Sequence, residues 1–358
     1  MTDPSDGLGV GIAGAGLVAC NNHVPDIREA GGRVVALADT GQGVAARAAE
    51  RLQVPHAFED YRALLALDEV AIVAVCTPPV SHAEIAIAAF EAGKHVYLEK
   101  PPAINEEEML RITAAGHRAG RLLLSGANAV YHDDLQTLKR TIDAGELGSI
   151  FAIEALMTGR GWLPEGWGKD RGVAGGGVVM GQASHRLDWA LFLLGSPRPV
   201  SVTARTYSEF AAFERAEDRL RIVEANAAAA ADPKRREIEE TMMALVQFEN
   251  GCTLLTRHTW SPFLPDEIRM SLFGTRGGAS LRPLVFHGRR SDGTLTDVRA
   301  QLPEPPKGSH TQAYRHLFQC IREGRSETGS PGERSILVMR IIDAIYRSAS
   351  LGGSEARF

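Results

Sequence analysis

The chain has 358 residues, of which 44% are hydrophobic and 23% charged, with a formal net charge of −5 at pH 7. A chain of that length exceeds what one hydrophobic core usually serves, so two domains are expected. The slightly acidic balance argues against a nucleic-acid surface. No stretch reaches the roughly 18 to 20 apolar residues needed to cross a bilayer, and the polar start of the chain lacks the pattern of a secretory signal. Cys20, Cys76, Cys252 and Cys320 form no CxxC pair, so neither a disulfide framework nor a zinc knuckle is suggested and a reducing cytoplasm fits best.

In chain order, apolar runs at 8–13, 34–38, 71–76, 95–98 and 122–124 alternate with helical segments, the pattern of βαβ units and a parallel sheet. Ser81-x-x-Glu84 reads as a capping box opening one helix, which ends near Gly93. Another helix starts at Asn105, carries Glu106, Glu107 and Glu108 in its first turn and stops near Gly120. Beyond Ser125 the texture changes to a helix at 133–144, then longer alternating runs at 150–156, 200–206, 241–248, 253–259 and 268–273. That spacing predicts a mostly antiparallel, open sheet with helices on one side. Helices at 312–322 and 335–350 close the chain, preceded by a proline-rich surface connection at 303–306. The 213–240 stretch, charged at both ends with an Ala-rich middle, reads as a mobile, partly helical excursion. The fold expected is α/β: a doubly wound Rossmann domain over residues 1–125 and a second α/β domain over 126–358.

The first strand runs into Gly14-Ala15-Gly16-Leu17-Val18-Ala19, a GxGxxA loop at a strand-to-helix turn. Gly14 permits the tight turn, Gly16 lets a pyrophosphate approach, and Ala19 lets helix and strand pack. The phosphates then sit on the helix start around Leu17 and Val18. Asp39 ends the second strand, where a carboxylate accepts hydrogen bonds from an adenosine ribose and repels a 2′-phosphate; Thr40 and Gly41 offer that phosphate no cation. NAD is therefore favoured, with NADP the alternative. Asp39 also reads as a cap for a 42–52 helix. The remaining chemistry-bearing segments are Val75-Cys76-Thr77-Pro78-Pro79 with Ser81 and His82, Glu99-Lys100-Pro101, and the helix carrying Gly181, Gln182, His185 and Asp188.

Together these segments resemble the Gfo/Idh/MocA family, which includes glucose-fructose oxidoreductase, inositol dehydrogenases and rhizopine-catabolism proteins. The resemblance implies that Thr77, Pro78, Glu99 and Lys100 lie against the nicotinamide half of the cofactor; His82 reads as a first-turn helix residue near the cofactor or as a helix-end His with no special role. The resemblance also implies a substrate-binding and oligomerisation domain, and a homodimer or homotetramer formed through its sheet. Gly175-Gly176-Gly177 through His185 and Asp188 looks like the family's GGGxLxDxGxHxxD helix. Lys100, following a strand at the sheet edge, can hydrogen-bond a substrate oxygen; its bland reading is an ion pair with Glu99. His185 is the candidate base, since imidazole titrates near neutral pH; a lone helical His is otherwise more often structural. If 178–194 is one helix, 181, 185 and 188 share a face.

Two departures stand out. The family's Asp four residues before the His is Gly181 here, and Asn128 to Tyr131 stands where many relatives carry an Arg. Substrate contacts are sought at Asn128, Gln182, His185 and Asp188, and at Trp162 and Trp167, whose indoles sit in a glycine-flanked, charged loop suited to sugar CH faces. The alternative for that loop is a surface turn anchored by buried indoles. No metal constellation is visible in the sequence. The reading is hydride transfer between NAD and a secondary alcohol or ketone of a sugar or cyclitol. Two alternatives are a glycoside-cleaving enzyme that oxidises its sugar transiently and a non-catalytic dinucleotide sensor.

Overall fold

The computed structural model describes residues 7–126, 128–160, 162, 164, 166–209, 238–261, 263–304, 308–328 and 332–358. Most of the 213–240 excursion and residues 305–306 of the proline-rich connection lie outside the described residues. Contacts divide the chain into two units, one of residues 1–133 with 303–336 and the other of 134–302 with 337–358.

Among the described residues of the first unit, six strands form a parallel sheet ordered β3-β2-β1-β4-β5-β6. They are β1 (Gly9–Ala13), β2 (Arg33–Ala38), β3 (His56–Phe58), β4 (Ile72–Val75), β5 (His95–Leu98) and β6 (Leu123–Ser125). Val10, Ile12, Val73, Ala74, Val96 and Leu98 are fully buried, as expected where helices cover both faces of a parallel sheet. Five of the strands lie where the apolar runs predict them, with no end moved by more than one residue. The sixth, β3, has three half-buried residues and is too short to show a period.

The order of strands reverses between β1 and β4, and in open α/β sheets ligands bind in the crevice at the carboxyl ends around such a switch point. The glycine loop follows β1, the Thr77-Pro78 turn follows β4, Lys100 follows β5 and Asp39 follows β2, so the topology brings all four to that edge.

The Glu106–Ala119 helix begins as the sequence predicts: Asn105 accepts from the Glu108 amide at 2.9 Å, and Gly120 ends it at φ +58°. The predicted Ser81-x-x-Glu84 box does not form. Ser81 Oγ donates instead to Thr77 Oγ1 and the Pro78 carbonyl, closing the turn after β4, while Glu84 is taken up by Tyr61 Oη and Arg62. The hydroxyl is spent before the His82–Glu91 helix can use it.

Among the described residues of the second unit, nine strands form one sheet ordered β14-β13-β12-β11-β7-β10-β9-β8-β15. They are β7 (Ile150–Thr158), β8 (Pro199–Tyr207), β9 (Thr241–Phe248), β10 (Thr253–Thr259), β11 (Glu267–Gly274), β12 (Gly278–Leu281), β13 (Val285–Arg289), β14 (Leu295–Arg299) and β15 (Ala356–Arg357). Only β7 and β10 pair in parallel; every other pairing is antiparallel, as expected. In β9, Met242, Ala244, Val246 and Phe248 are buried while Met243, Leu245 and Gln247 alternate outward, a period of two in burial within an apolar run unbroken from Met242 to Val246.

The sequence predicts one regular helix over 178–194, and here the structure differs. Val179–Ala183 is a π-helical segment, in which Ser184 N–H bonds back to the Val179 carbonyl, and the α-helix proper is Ser184–Leu194. One extra residue in a turn rotates everything before it by about 100° relative to a straight helix. His185 and Asp188 lie in the regular helix and keep their common face, while Gly181 lies inside the π segment.

Candidate active site

In the first unit the glycine loop has the shape a pyrophosphate requires. Gly14 sits at φ +94°, and a Cβ there would meet the Cys76 carbonyl oxygen at 2.6 Å, so only glycine fits. A Cβ at Gly16 would meet nothing within 4 Å, leaving open space in front of the helix start. Leu17 and Val18, at the start of that helix, are 80% and 50% exposed. Ala19 is buried, as the packing argument predicts. Asp39 Oδ2 accepts from the Ala15 amide at 2.9 Å and Oδ1 from the Gly41 amide at 2.8 Å. The carboxylate is thus fastened beside the loop with lone pairs to spare. A void that any larger group at Gly16 would begin to fill, an exposed helix N-terminus and a carboxylate at the second strand together fit a dinucleotide.

Thr77 and Pro78 are half-buried beside this loop. His82 is buried; its Nε2 donates to the Thr77 carbonyl at 2.8 Å, and burial lowers its pKa. It fixes the turn and does not open onto solvent. Lys100 is half-buried, and among the described residues its ammonium makes no ion pair. The bland pairing with Glu99 does not form, because the Glu99 side chain is occupied elsewhere. Glu99 Oε2 accepts from the Lys100 main-chain N–H at 2.9 Å, while Oε1 faces His23 Nε2 at 3.0 Å and His310 Nε2 at 3.2 Å.

That buried cluster was not legible in the sequence. His23 Nδ1 lies 2.6 Å from Tyr314 Oη, and His310 Nδ1 lies 3.3 Å from Asp26 Oδ2, which also accepts the His310 main-chain N–H at 2.8 Å. Burial works against an ionised Glu99, yet the bonds from His23 and His310 hold its carboxyl well below the usual range. Burial likewise opposes the His310 imidazolium, but Asp26 and Glu99 raise its pKa to about 9. Burial keeps His23 neutral. His23 Nε2, Glu99 and His310 Nε2 offer three ligand atoms within 4.8 Å of one another, so the cluster also has the composition of a metal site. Asn128 is buried and gives its Nδ2 to the Ser309 carbonyl at 3.0 Å.

In the second unit, the π segment and the Ser184–Leu194 helix carry Gln182 and His185, both half-buried, and Asp188, which is buried. The triple glycine ahead of them has a packing reason. A Cβ at Gly176 would overlap Tyr346 Oη, and one at Gly177 would overlap the Glu239 main chain. That close approach lets Glu239 Oε1 accept from the amides of Gly177 at 2.9 Å and Val179 at 3.1 Å and from Tyr346 Oη at 2.9 Å. Glu239 was also missed by sequence reasoning; the three glycines were its only signal. Gly181 packs beside the buried Trp260, with its Cβ position 3.4 Å from Cζ2. Trp162 and Trp167 are 47% and 54% exposed, so they do not anchor their loop by burial. The loop's charges are partly used locally: Asp170 caps the short Arg171–Ala174 helix, and the Arg160 amide donates to Asp266.

Residues 8–127 match the oxidoreductase family with an NAD-binding Rossmann fold, and residues 139–354 match that family's C-terminal alpha/beta domain. The chain belongs to the Gfo/Idh/MocA oxidoreductase family. It is 25% identical to D-glucoside 3-dehydrogenase of Escherichia coli (strain K12), over 97% of each chain. It is 26% identical to inositol 2-dehydrogenase 2 of Saccharopolyspora erythraea, over 80% of this chain and 76% of the relative. Its fold is that of levoglucosan dehydrogenase solved with NADH and levoglucosan, with TM-score 0.83, 21% identity and coverage of 98% and 99% of the two chains. As a Gfo/Idh/MocA protein it is an NAD-dependent oxidoreductase, and the cradle at Gly14, Gly16 and Asp39 is the part of this chain suited to that cofactor.

Proposed function

We propose that this enzyme moves a hydride between NAD and a secondary carbinol of a sugar or cyclitol, with Lys100 serving the carbinol oxygen and His185 its proton. The observation that carries the reading is the switch-point edge of the first sheet, where a glycine cradle after β1, a carboxylate fastened beside it after β2 and, after β5, a lysine ammonium free of ion pairs among the described residues come to one edge. The names of these two relatives, a glucoside dehydrogenase and an inositol dehydrogenase, support the substrate class.

When bound, the nicotinamide accepts or supplies the hydride. In the oxidising direction His185 takes the hydroxyl proton, and the Lys100 ammonium offsets negative charge growing on the oxygen. Gln182, Asp188 and the Oδ1 of Asn128 are assigned to hydroxyl recognition, and Trp162 and Trp167 to apolar sugar faces. Asp39 disfavours a 2′-phosphate, so NAD is preferred to NADP.

The enzyme assembles as a homodimer or homotetramer through the outer face of the second sheet. Met243, Leu245, Leu255 and Phe273 are 39–48% exposed there, with Leu245 directly opposite Leu255 on the neighbouring strand. Its site of action is the cytoplasm, in keeping with four unpaired cysteines; among the described residues no helix is long and apolar enough to cross a membrane.

The test begins with absorbance and mass of any dinucleotide released from purified protein, then an NADH-formation screen across monosaccharides, inositols and glycosides. NADH formed with one class supports the reading. Tightly held NAD with aglycone release and no net NADH, or no turnover with the whole panel, would defeat it.

A further inference from the structure

The Glu99 cluster lies wholly in the first unit and joins three chain segments: Asp26 on the Val24–Glu29 helix, Glu99 at the end of β5, and His310 just before the Thr311–Arg322 helix. Its protons can be placed by elimination. A carboxylate only accepts, so His23 Nε2 carries a proton toward Glu99, and its Nδ1 accepts the Tyr314 hydroxyl. His310 Nε2 faces Glu99 and so carries a proton toward it, while its Nδ1 has two partners, Ser309 Oγ at 2.9 Å and Asp26 Oδ2 at 3.3 Å. Its contacts to Glu99 and Asp26 are 3.2 Å and 3.3 Å, and His23 stands 3.0 Å from Glu99. These are hydrogen-bond separations, and the zinc measurement below tests the cluster's other reading as a metal site.

Asp26 is itself held firmly. The main-chain N–H of His310 and the Thr311 hydroxyl both donate to it, and a Cβ at Gly308 would overlap its carboxylate. His310 therefore stands on a fixed carboxylate and presents its other nitrogen to Glu99, whose second oxygen anchors the Lys100 amide.

We propose that His310 is a positioning residue for Lys100: bridging Asp26 and Glu99, it holds the Glu99 carboxylate in the orientation that anchors the Lys100 main chain. The inference rests on the proposed role of Lys100 for its kinetic consequence but not for its geometry. The same cluster ties Lys100 to the helix that starts at the glycine loop, since His23 and Asp26 belong to it. The sequence gives no hint of this, because His310 lies 284 positions from Asp26.

The experiment compares wild type, His310→Ala, His310→Gln and, as a stability control in the same unit's core, Ile112→Val. The Lys100 amide is observed by selective ¹⁵N-lysine labelling, and kcat, KM, NADH affinity, Tm and zinc content are measured. In His310→Ala the Lys100 amide proton is expected to move upfield and lose exchange protection. The kcat should fall roughly tenfold, the worth of one hydrogen bond to a charged group, with KM and NADH affinity changing less than about twofold. His310→Gln, whose amide can still donate to Glu99, should recover part of both effects, and Ile112→Val should show neither. An unmoved Lys100 amide in His310→Ala, a kcat loss matched by Ile112→Val, or stoichiometric zinc that His310→Ala removes would each overturn the proposal. Should wild type turn over no sugar, the proposed function fails while the amide measurement still decides the role of His310.

Discussion

Replacing Glu239 separates two contributions that the structure combines in one side chain. Its Oε1 accepts from Gly177 N, Val179 N and Tyr346 Oη, and so satisfies amides at the start of the segment that carries His185. Glu239→Ala strands three buried donors at about 1–3 kcal/mol each. Water entering the space vacated by the side chain recovers part of this, so a loss of about 2–4 kcal/mol is expected. In a unit of this size that is a fall in Tm of roughly 5–15 °C. Glu239→Gln keeps the acceptor and removes the charge. Burial raises the Glu239 pKa above its ordinary 4.5, against the pull of its hydrogen bonds. A raised carboxyl pKa means the folded state favours the proton: the associated stability is fully present below pH 4.5 and is lost as pH rises through the folded value. At pH 8 the wild type therefore carries a cost that Gln lacks, so the stability of Glu239→Gln relative to wild type should rise from pH 5 to pH 8. Calorimetry at both pH values checks this. If Ala and Gln lose the same amount, or Ala loses under about 1 kcal/mol, the capping argument is wrong.

Asp39→Ala should weaken NADH binding roughly tenfold, the scale of hydrogen bonds to a charged acceptor, and raise the NADPH-to-NADH affinity ratio; an unchanged ratio in a binding titration would mean the carboxylate does not face the ribose. Trp162→Ala and Trp167→Ala should leave stability within about 0.5 kcal/mol, since both indoles are about half exposed, and raise KM for the sugar several-fold if the rings stack on it; unchanged KM in both variants would remove them from the site. His258 is fully buried with Nε2 donating to Thr256 Oγ1 at 2.8 Å, and burial, then Arg186 and Arg257, hold its pKa well below 6.5. A depressed folded pKa gives stability that is present above pH 6.5 and declines as pH falls below it, by at most about 1.4 kcal/mol per pH unit. His258→Gln should flatten the stability curve between about pH 6.5 and pH 5; a slope identical to wild type would refute the buried neutral imidazole.

Features defined within a few residues were legible in the sequence. The glycine loop, the turn after β4 and Lys100 after β5 are each fixed by a strand end and the residues next to it, and β9 and β10 show as short runs of strand length. What escaped depends on distance along the chain or on a change too small for periodicity to register. His23 meets Tyr314 across 291 positions, and Glu239 meets Gly177 across 62, so no local pattern pairs them. The π segment at Val179–Ala183 is invisible for the second reason, because five residues of mixed polarity read the same in a 3.6- or a 4.4-residue turn.

That small change bears on the family's missing carboxylate. In a straight helix, a side chain at 181 would sit one turn before His185 and brace it. Here the 181 position lies inside the π segment and faces the Trp260 indole, where a Cβ has ordinary contact room. Room for a side chain at 181 therefore does not explain the glycine, and nothing else in the structure does. The bracing of this segment comes instead from Glu239 at its start, a carboxylate that lies far away in sequence and acts on the main chain.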